Sequence, residues 1–216
     1  MRMLVLLLLS ALVAGAAESE TLLKHDRVEI VRVVAEPAHA TGYHEHKINR
    51  VMIYLDQGGQ LVEYKDGGRV VDEKWAAGQA LWSPAEGLHK VNYQTQAPVS
   101  LVKVELQRIA PLGSPAPGPL DPLEVDPRHY SVDFENEQVR VIRVTIGAGQ
   151  AAPLHQHARP RAVVYLTDAD FEQTLEDGSQ VASKQRRGDV VWSDQPVRHR
   201  ELNRGGDFEA VVVELK

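Results

Sequence analysis

An internal repeat limits the folds that this chain can adopt. Residues 27–33 (RVEIVRV) align with residues 138–144 (QVRVIRV), and the His-x-His at positions 44–46 aligns with a second one at 155–157. Both alignments have the same offset, since 155 − 44 and 138 − 27 each give 111. A repeat of this length indicates two copies of one structural unit, and two units of about a hundred residues fit a chain of 216.

Each copy reads as a series of short strands. Runs of β-branched residues alternate with turn signals such as Asp66-Gly67-Gly68 and Asp177-Gly178, and no helical period is sustained after the N-terminus. The pattern predicts an all-β protein built from two tandem small antiparallel β-barrels. Arg32 and Arg143 alternate with apolar neighbours in these runs, and we expect them to face solvent.

A proline-rich segment separates the two copies. Residues 110–127 contain six of the chain's twelve prolines, and such a segment favours stiff, extended backbone. We therefore expect a first domain over 20–109, a linker over 110–127 and a second domain over 128–216.

The N-terminus has the pattern of a secretory signal peptide. Arg2 precedes an apolar run, and the small residues Ala14-Gly15-Ala16 close it. The apolar run is too short to span a bilayer. We expect residues 1–17 to be removed, and the remaining protein to be periplasmic or secreted without a membrane attachment.

The composition limits the classes of partner that we expect for this protein. The formal net charge is −6 and no Lys/Arg cluster stands out, so we expect no nucleic-acid partner. The chain has no cysteine, so any metal must be held by nitrogen and oxygen ligands. The sequence leaves the oligomeric state open, and a homo-oligomer is compatible with it.

Six of the nine histidines fall on two matched patterns. Residues two apart on a strand point to the same face, so each His-x-His supplies two convergent ligands, and a later histidine supplies the third. The predicted metal ligands are His44, His46 and His89 in the first copy and His155, His157 and His199 in the second.

These motifs resemble those of the cupin superfamily, and the duplication resembles a bicupin with two jelly-roll barrels. In the first copy Gly78, Pro84, His89 and Asn92 match the second cupin motif. In the second copy Gly188, His199 and Asn203 match it, but Asp194 stands where the proline is expected. The resemblance covers residues from about 22 to 216 and implies metal binding, with dioxygenase chemistry as one of its functions.

Both copies depart from the family pattern at one position. Cupins resembling this chain place a glutamate four residues after the second histidine, where this sequence has Arg50 and Arg161. Either arginine clamps the carboxylate of a ligand, or it forms a structural ion pair and fills the space of the metal. Tyr54 and Tyr165 follow at inward parity and are weaker candidates for the site.

The sequence therefore predicts an exported protein that binds a divalent transition metal (Fe, Mn, Ni, Cu or Zn) and a small, anionic organic molecule. Oxidation of that anion is the enzymatic extension of this interpretation. Two alternatives stay open: a non-catalytic module of the cell envelope that binds a metal or a small ligand, and a metal-free cupin scaffold.

Overall fold

The computed structural model describes residues 17–107, 113 and 116–216. The predicted signal peptide lies outside the described residues except for Ala17, as do residues 108–112, 114 and 115 of the segment after the first barrel. Strands make up nearly all of the regular structure, which confirms the predicted all-β class. No helix in the described part of the chain has the length and hydrophobicity needed to cross a bilayer.

The first half consists of nine strands among the described residues. They are β1 (Ala17–Lys24), β2 (Val28–Ala35), β3 (His44–His46), β4 (Arg50–Tyr54), β5 (Gly58–Tyr64), β6 (Val70–Trp75), β7 (Ala80–Ser83), β8 (Glu86–Tyr93) and β9 (Val99–Leu106).

The second half has one short helix followed by nine described strands. They are α1 (Pro122–Val125), β10 (Tyr130–Glu135), β11 (Val139–Ile146), β12 (Ala151–His157), β13 (Arg161–Tyr165), β14 (Ala169–Leu175), β15 (Gln180–Gln185), β16 (Val190–Ser193), β17 (Val197–Asn203) and β18 (Phe208–Leu215).

Each half forms a five-stranded and a four-stranded antiparallel sheet. The first half has the orders β1-β2-β9-β4-β7 and β3-β8-β5-β6. The second half has the orders β10-β11-β18-β13-β16 and β12-β17-β14-β15, which are the same arrangement nine strands later in the chain. The two sheets of each half enclose a barrel of the jelly-roll type, as the sequence predicts.

The two five-stranded sheets pack against each other through their outer faces. Val28 and Val102 of the first half lie in one hydrophobic cluster with Val141 and Val211 of the second, and all four are fully buried. Strand β18 is buried along almost its whole length, because one of its faces lines its own barrel and the other contacts the neighbouring barrel. Burial on both faces explains the continuous apolar run in this strand.

Two arginines lie at the ends of this interface. The Arg32 Nη2 donates to the carbonyl of Gly188 in the other half at 2.5 Å. Arg143 forms ion pairs with Asp133 and Glu209, and its side chain is only 18% exposed. The prediction that Arg32 and Arg143 face solvent was wrong. Both residues lie at the border of the apolar interface, where a long arginine side chain can reach a backbone carbonyl or a carboxylate.

The described end of the proline-rich segment is tied to the second barrel. Asp121 caps α1 by accepting a hydrogen bond from the Leu123 amide at 3.0 Å, and Pro122 takes the first helical position. The second carboxylate oxygen of Asp121 lies 2.7 Å from Nη2 of Arg140, a buried residue of β11. This part of the predicted linker is therefore anchored by a buried ion pair.

Candidate metal centres

The three predicted histidines of each half meet inside its barrel. His44 on β3 pairs with His89 on β8, and His155 on β12 pairs with His199 on β17. In each barrel the second histidine of the His-x-His lies on the same face as the first. One ring nitrogen from each of the three residues lies within 4.8 Å of the others, both for the first triad (His44, His46, His89) and for the second triad (His155, His157, His199).

Backbone carbonyls orient the imidazoles. The Nδ1 atoms of His44, His89 and His155 lie 2.8–2.9 Å from the carbonyl oxygen two residues earlier in the chain. A carbonyl oxygen only accepts hydrogen bonds, so these Nδ1 atoms carry the proton and the Nε2 atoms keep a lone pair. In His155 this lone pair lies near the Tyr130 hydroxyl, at 3.3 Å. This arrangement of a ring N–H on a carbonyl is the usual outer support of a metal-binding histidine.

The donor sets fit a divalent transition metal. His199 is buried and neither of its ring nitrogens has a hydrogen-bond partner, and Nδ1 of His157 is also buried without one. Buried polar atoms are otherwise almost always paired, so these nitrogens indicate that the second triad is built for a ligand. Three imidazole nitrogens suit Fe, Mn, Ni, Cu or Zn.

Burial keeps these imidazoles neutral. The pKa of His199 is lowered to about 4, first by burial. Burial, with Arg161 as the next cause, holds the pKa of His157 well below its ordinary value. Burial also lowers the pKa of His46 to about 3, and Arg50 adds to this effect. A neutral imidazole is the form that binds a metal, so no proton has to leave these residues at neutral pH.

Arg50 lies in the same cavity as the first triad. The residue is buried, and its Nε and Nη1 atoms have no hydrogen-bond partner. Burial lowers the pKa of its guanidinium, while Glu86 and Glu105 raise it without contacting it directly. The cavity has a volume of about 610 Å³. The guanidinium therefore has free donors beside the candidate metal ligands.

Arg161 differs from Arg50 in its hydrogen-bond partners. It lines the cavity of the second triad, which has a volume of about 380 Å³. Its Nη1 lies 3.3 Å from the carbonyl oxygens of Arg159 and Gln195, so some of its donors are already used by the backbone. Burial lowers its pKa, and the nearby Glu214 opposes this.

The two predicted tyrosines line the same cavities but pack as core residues. Tyr54 is stacked on Trp75 with the ring centroids 4.1 Å apart, and burial raises its pKa. Tyr165 packs against Phe208 at 5.8 Å, and burial raises its pKa to about 12. Both hydroxyls therefore stay protonated at neutral pH.

Glu201 and Tyr130 extend the second site and were missed from the sequence. The Tyr130 hydroxyl donates to Oε1 of Glu201 at 2.8 Å and lies 3.3 Å from Nε2 of His155. Glu201 could have been found, because it shares strand parity with His199, two residues earlier. Tyr130 could not, because it lies on a different sheet from the triad and no local pattern connects it to His155.

Glu214 lies on the other side of the second triad. Its Oε1 is 3.8 Å from Nδ1 of His157, and its Oε2 accepts from Nε of Arg140 at 2.8 Å. Arg140 also binds Asp121. A buried chain of charges thus leads from the N-cap of α1 to a predicted metal ligand.

Several solved structures share this fold. AerE from Microcystis aeruginosa matches with a TM-score of 0.68 and 15% identity over 95% of both chains. A single-residue variant of Bacillus subtilis oxalate decarboxylase matches with a TM-score of 0.63 and 14% identity, over 92% of this chain and 72% of that one. A cupin 2 conserved barrel domain protein from Leptotrichia buccalis matches with a TM-score of 0.55 and 10% identity, over 94% and 90%.

At these identities the likeness establishes the fold alone. No family model matches the sequence, and the search of curated proteins finds no match. Bacillus subtilis oxalate decarboxylase contains Mn(II) centres. The chain thus has a cupin fold with two histidine triads that could hold a metal.

Proposed function

We propose that this chain is an exported bicupin that binds a divalent transition metal through its histidine triads and a small organic anion through Arg50. The observation that carries the proposal is the pair of unpartnered Arg50 donors, buried in one cavity with three convergent imidazoles. A buried guanidinium without an acceptor is costly unless a ligand supplies one.

A metal ion beside Arg50 would favour an anion in the first site. Three neutral imidazoles leave the charge of a divalent ion uncompensated, and the free donors of Arg50 lie in the same cavity. The other charged residues of the cavity are Lys74, Lys103, Asp72, Glu73 and Glu86. A carboxylate can bind a guanidinium in a bidentate manner. We therefore propose a carboxylate of low molecular weight as the ligand class, held between the triad and Arg50.

Manganese is the first ion to test, because the structurally similar oxalate decarboxylase has Mn(II) centres. A bound divalent ion supplies Lewis acidity to a coordinated oxygen, and a redox-active one supplies electron transfer. Within the chain, Arg50 would orient the anion relative to the triad. Oxidation of the anion with dioxygen as the oxidant is the enzymatic extension of the proposal.

Export follows from the N-terminal pattern and is also a proposal. Expression of the full chain in a bacterium is expected to give a protein in the periplasm or medium that begins near residue 18. N-terminal sequencing of the purified protein measures this. Recovery of a cytoplasmic protein that still begins at Met1 would contradict export without affecting the metal proposal.

Metal content tests the triads. After removal of metal with a chelator and reconstitution with Mn²⁺, Fe²⁺ or Zn²⁺, we expect about two equivalents per chain by elemental analysis. The variants His44→Ala and His155→Ala are each expected to lose one equivalent. Failure of the wild-type protein to bind any of these ions stoichiometrically would exclude metal binding and leave a metal-free scaffold.

Anion binding tests Arg50. Oxalate titrated into the metal-loaded protein is expected to bind at least tenfold more weakly to Arg50→Gln, because two charge-assisted hydrogen bonds are lost. Arg50→Lys keeps the charge but not the planar fork, and is expected to recover the affinity only in part. Unchanged binding in Arg50→Gln would contradict the assignment. Product formation under air then separates an enzyme from a binding module.

A further inference from the structure

The second triad faces a carboxylate that no cation neutralises. Glu201 is held by the Tyr130 hydroxyl at 2.8 Å and lies 3.4 Å from the side-chain amide of Gln173. Both partners are neutral. Within residues 17–107, 113 and 116–216, no lysine or arginine forms an ion pair with Glu201. A partly buried carboxylate in this setting lacks a positive partner.

Glu201 lies in the same cavity as the second triad. Glu201 lines the cavity that also contains His157 and His199, and Tyr130 connects it to His155. A divalent ion held by the triad would supply the positive charge that this carboxylate lacks.

The first barrel has no counterpart of this arrangement among its described residues. Glu201 pairs with Gln173 across the sheet, and the position of Val91 is equivalent, since it pairs with Val62 in the same register. Ser19 takes the place of Tyr130, because Ser19 pairs with Val33 as Tyr130 pairs with Val144. An apolar valine and a short serine thus replace the carboxylate and the phenol that holds it.

The first triad also has a carboxylate beside it, Glu86, which contacts the Nδ1 side of the predicted ligand His89. It is 4.0 Å from Nδ1 of His89, the ring nitrogen that is already bonded to the carbonyl of Gly87. The Tyr64 hydroxyl donates to it at 2.6 Å. Glu86 lines the same cavity, but its carboxylate contacts His89 at Nδ1, the ring nitrogen that is not free to bind a metal.

We propose that Glu201 is the anionic partner of the metal ion in the second barrel, and that the two barrels therefore have different tasks. This inference rests on the metal binding proposed above. With Glu201 the second site compensates part of the ion's charge internally, so it binds the ion more tightly and excludes external anions. The first site, without such a carboxylate, is the one that binds the organic anion.

The experiment isolates each site in the full chain. His44→Ala leaves the second site, and His155→Ala leaves the first. Mn²⁺ binding is measured by the electron paramagnetic resonance signal of the free ion. In the His44→Ala protein, Glu201→Gln is expected to lower Mn²⁺ affinity at least tenfold, and Glu201→Asp is expected to restore part of it. Tyr130→Phe is expected to lower it less.

The matched control is Glu86→Gln in the His155→Ala protein, where Mn²⁺ affinity is expected to change less than twofold. Unchanged affinity in Glu201→Gln overturns the inference, and so does an equal loss in the Glu86→Gln control. If the His44→Ala protein binds no Mn²⁺ before Glu201 is changed, metal binding at the second triad fails, which is a distinct result.

Oxalate tests the division of tasks. Oxalate is expected to bind the Mn²⁺-loaded His155→Ala protein and not the Mn²⁺-loaded His44→Ala protein. Oxalate binding to the second site in the His44→Ala protein overturns the division, even if Glu201 contributes to metal affinity.

Discussion

The two triads have histidine spacings that differ by one residue, 43 and 42 between the second and third histidine, and their surroundings differ more. In the first barrel His44 and His46 are half-buried and open into a cavity of about 610 Å³. In the second barrel all three histidines are buried, His155 is 0% exposed, and the cavity is about 380 Å³. Similar ligands on one fold thus meet different dielectric and charge conditions, and these conditions decide what each site can bind.

The charges behind the triads differ as well. Glu214 and Glu105 take the same place opposite Arg161 and Arg50 on the neighbouring strands. Glu214 is fully buried and bound to Arg140, whereas the position of Arg140 in the first barrel is taken by Glu29. Glu105 pairs with Lys103 at 3.4 Å nearer the solvent. Only the second barrel, among the described residues, has a buried charge chain behind its triad.

The largest expected effect on stability comes from removing Arg140 from the buried charge chain of the second barrel. Arg140→Met removes the nearest cation from the buried Glu214 and Asp121, and leaves Glu214 with Arg159 at 3.8 Å. The substitution is expected to lower the free energy of unfolding by about 3 to 5 kcal/mol. Urea unfolding of the metal-free protein measures it.

The matched substitution is Glu29→Met at the equivalent position. Glu29 is 23% exposed and its lysine partner is 3.9 Å away, so we expect a change within about 1 kcal/mol. Equal effects of the two substitutions would show that the buried chain does not distinguish the barrels.

Acid is expected to destabilise the second triad more than the first. The pKa of His199 is about 4 in the folded protein and about 6.5 when unfolded, so the unfolded state binds more protons between these values. Stability is therefore complete above pH 6.5 and falls as the pH decreases towards 4. For His199 the loss is about 3 kcal/mol at most.

Histidine-to-asparagine variants measure how much the buried histidines contribute to the pH dependence of stability. Replacing His157 and His199 with asparagine is expected to flatten the pH dependence of metal-free unfolding between pH 6.5 and 4.5. His46→Asn is expected to flatten it less, because this variant changes one half-buried histidine, whereas His157 and His199 are both buried. A larger effect from His46→Asn would reverse the comparison.

The arrangement of the barrels and the meeting of the histidines could be predicted because both depend on local patterns. Strand parity places His44 and His46 on one face, and the turn signals fix the length of the strands. The fold class is confirmed. The same parity rule also reaches Glu201 from His199, but sequence alone gives no reason to choose it over other acidic residues on strands.

The remaining features depend on contacts between distant parts of the chain. Arg32 contacts Gly188 only because two sheets pack face to face, and neither segment contains a sign of the other. Tyr130 reaches His155 because β10 lies at the edge of the opposite sheet. The difference in burial between the two triads arises in the same way, from residues that surround the motifs and do not belong to them.

The smallest effects are expected where the barrels are alike. Gly78 and Gly188 have φ angles of 78° and 87°, and a Cβ at either position would lie 3.1–3.2 Å from a leucine of the other half, Leu166 or Leu55. Gly78→Ala and Gly188→Ala each combine a strained backbone with a tight contact at the interface, so each is expected to cost about 1 to 2 kcal/mol. Thermal unfolding measures both. Because the two glycines occupy matching positions between the barrels, the two losses in stability are expected to agree within about 0.5 kcal/mol. Clearly unequal losses would show that the two sides of the interface differ, as the two metal sites do.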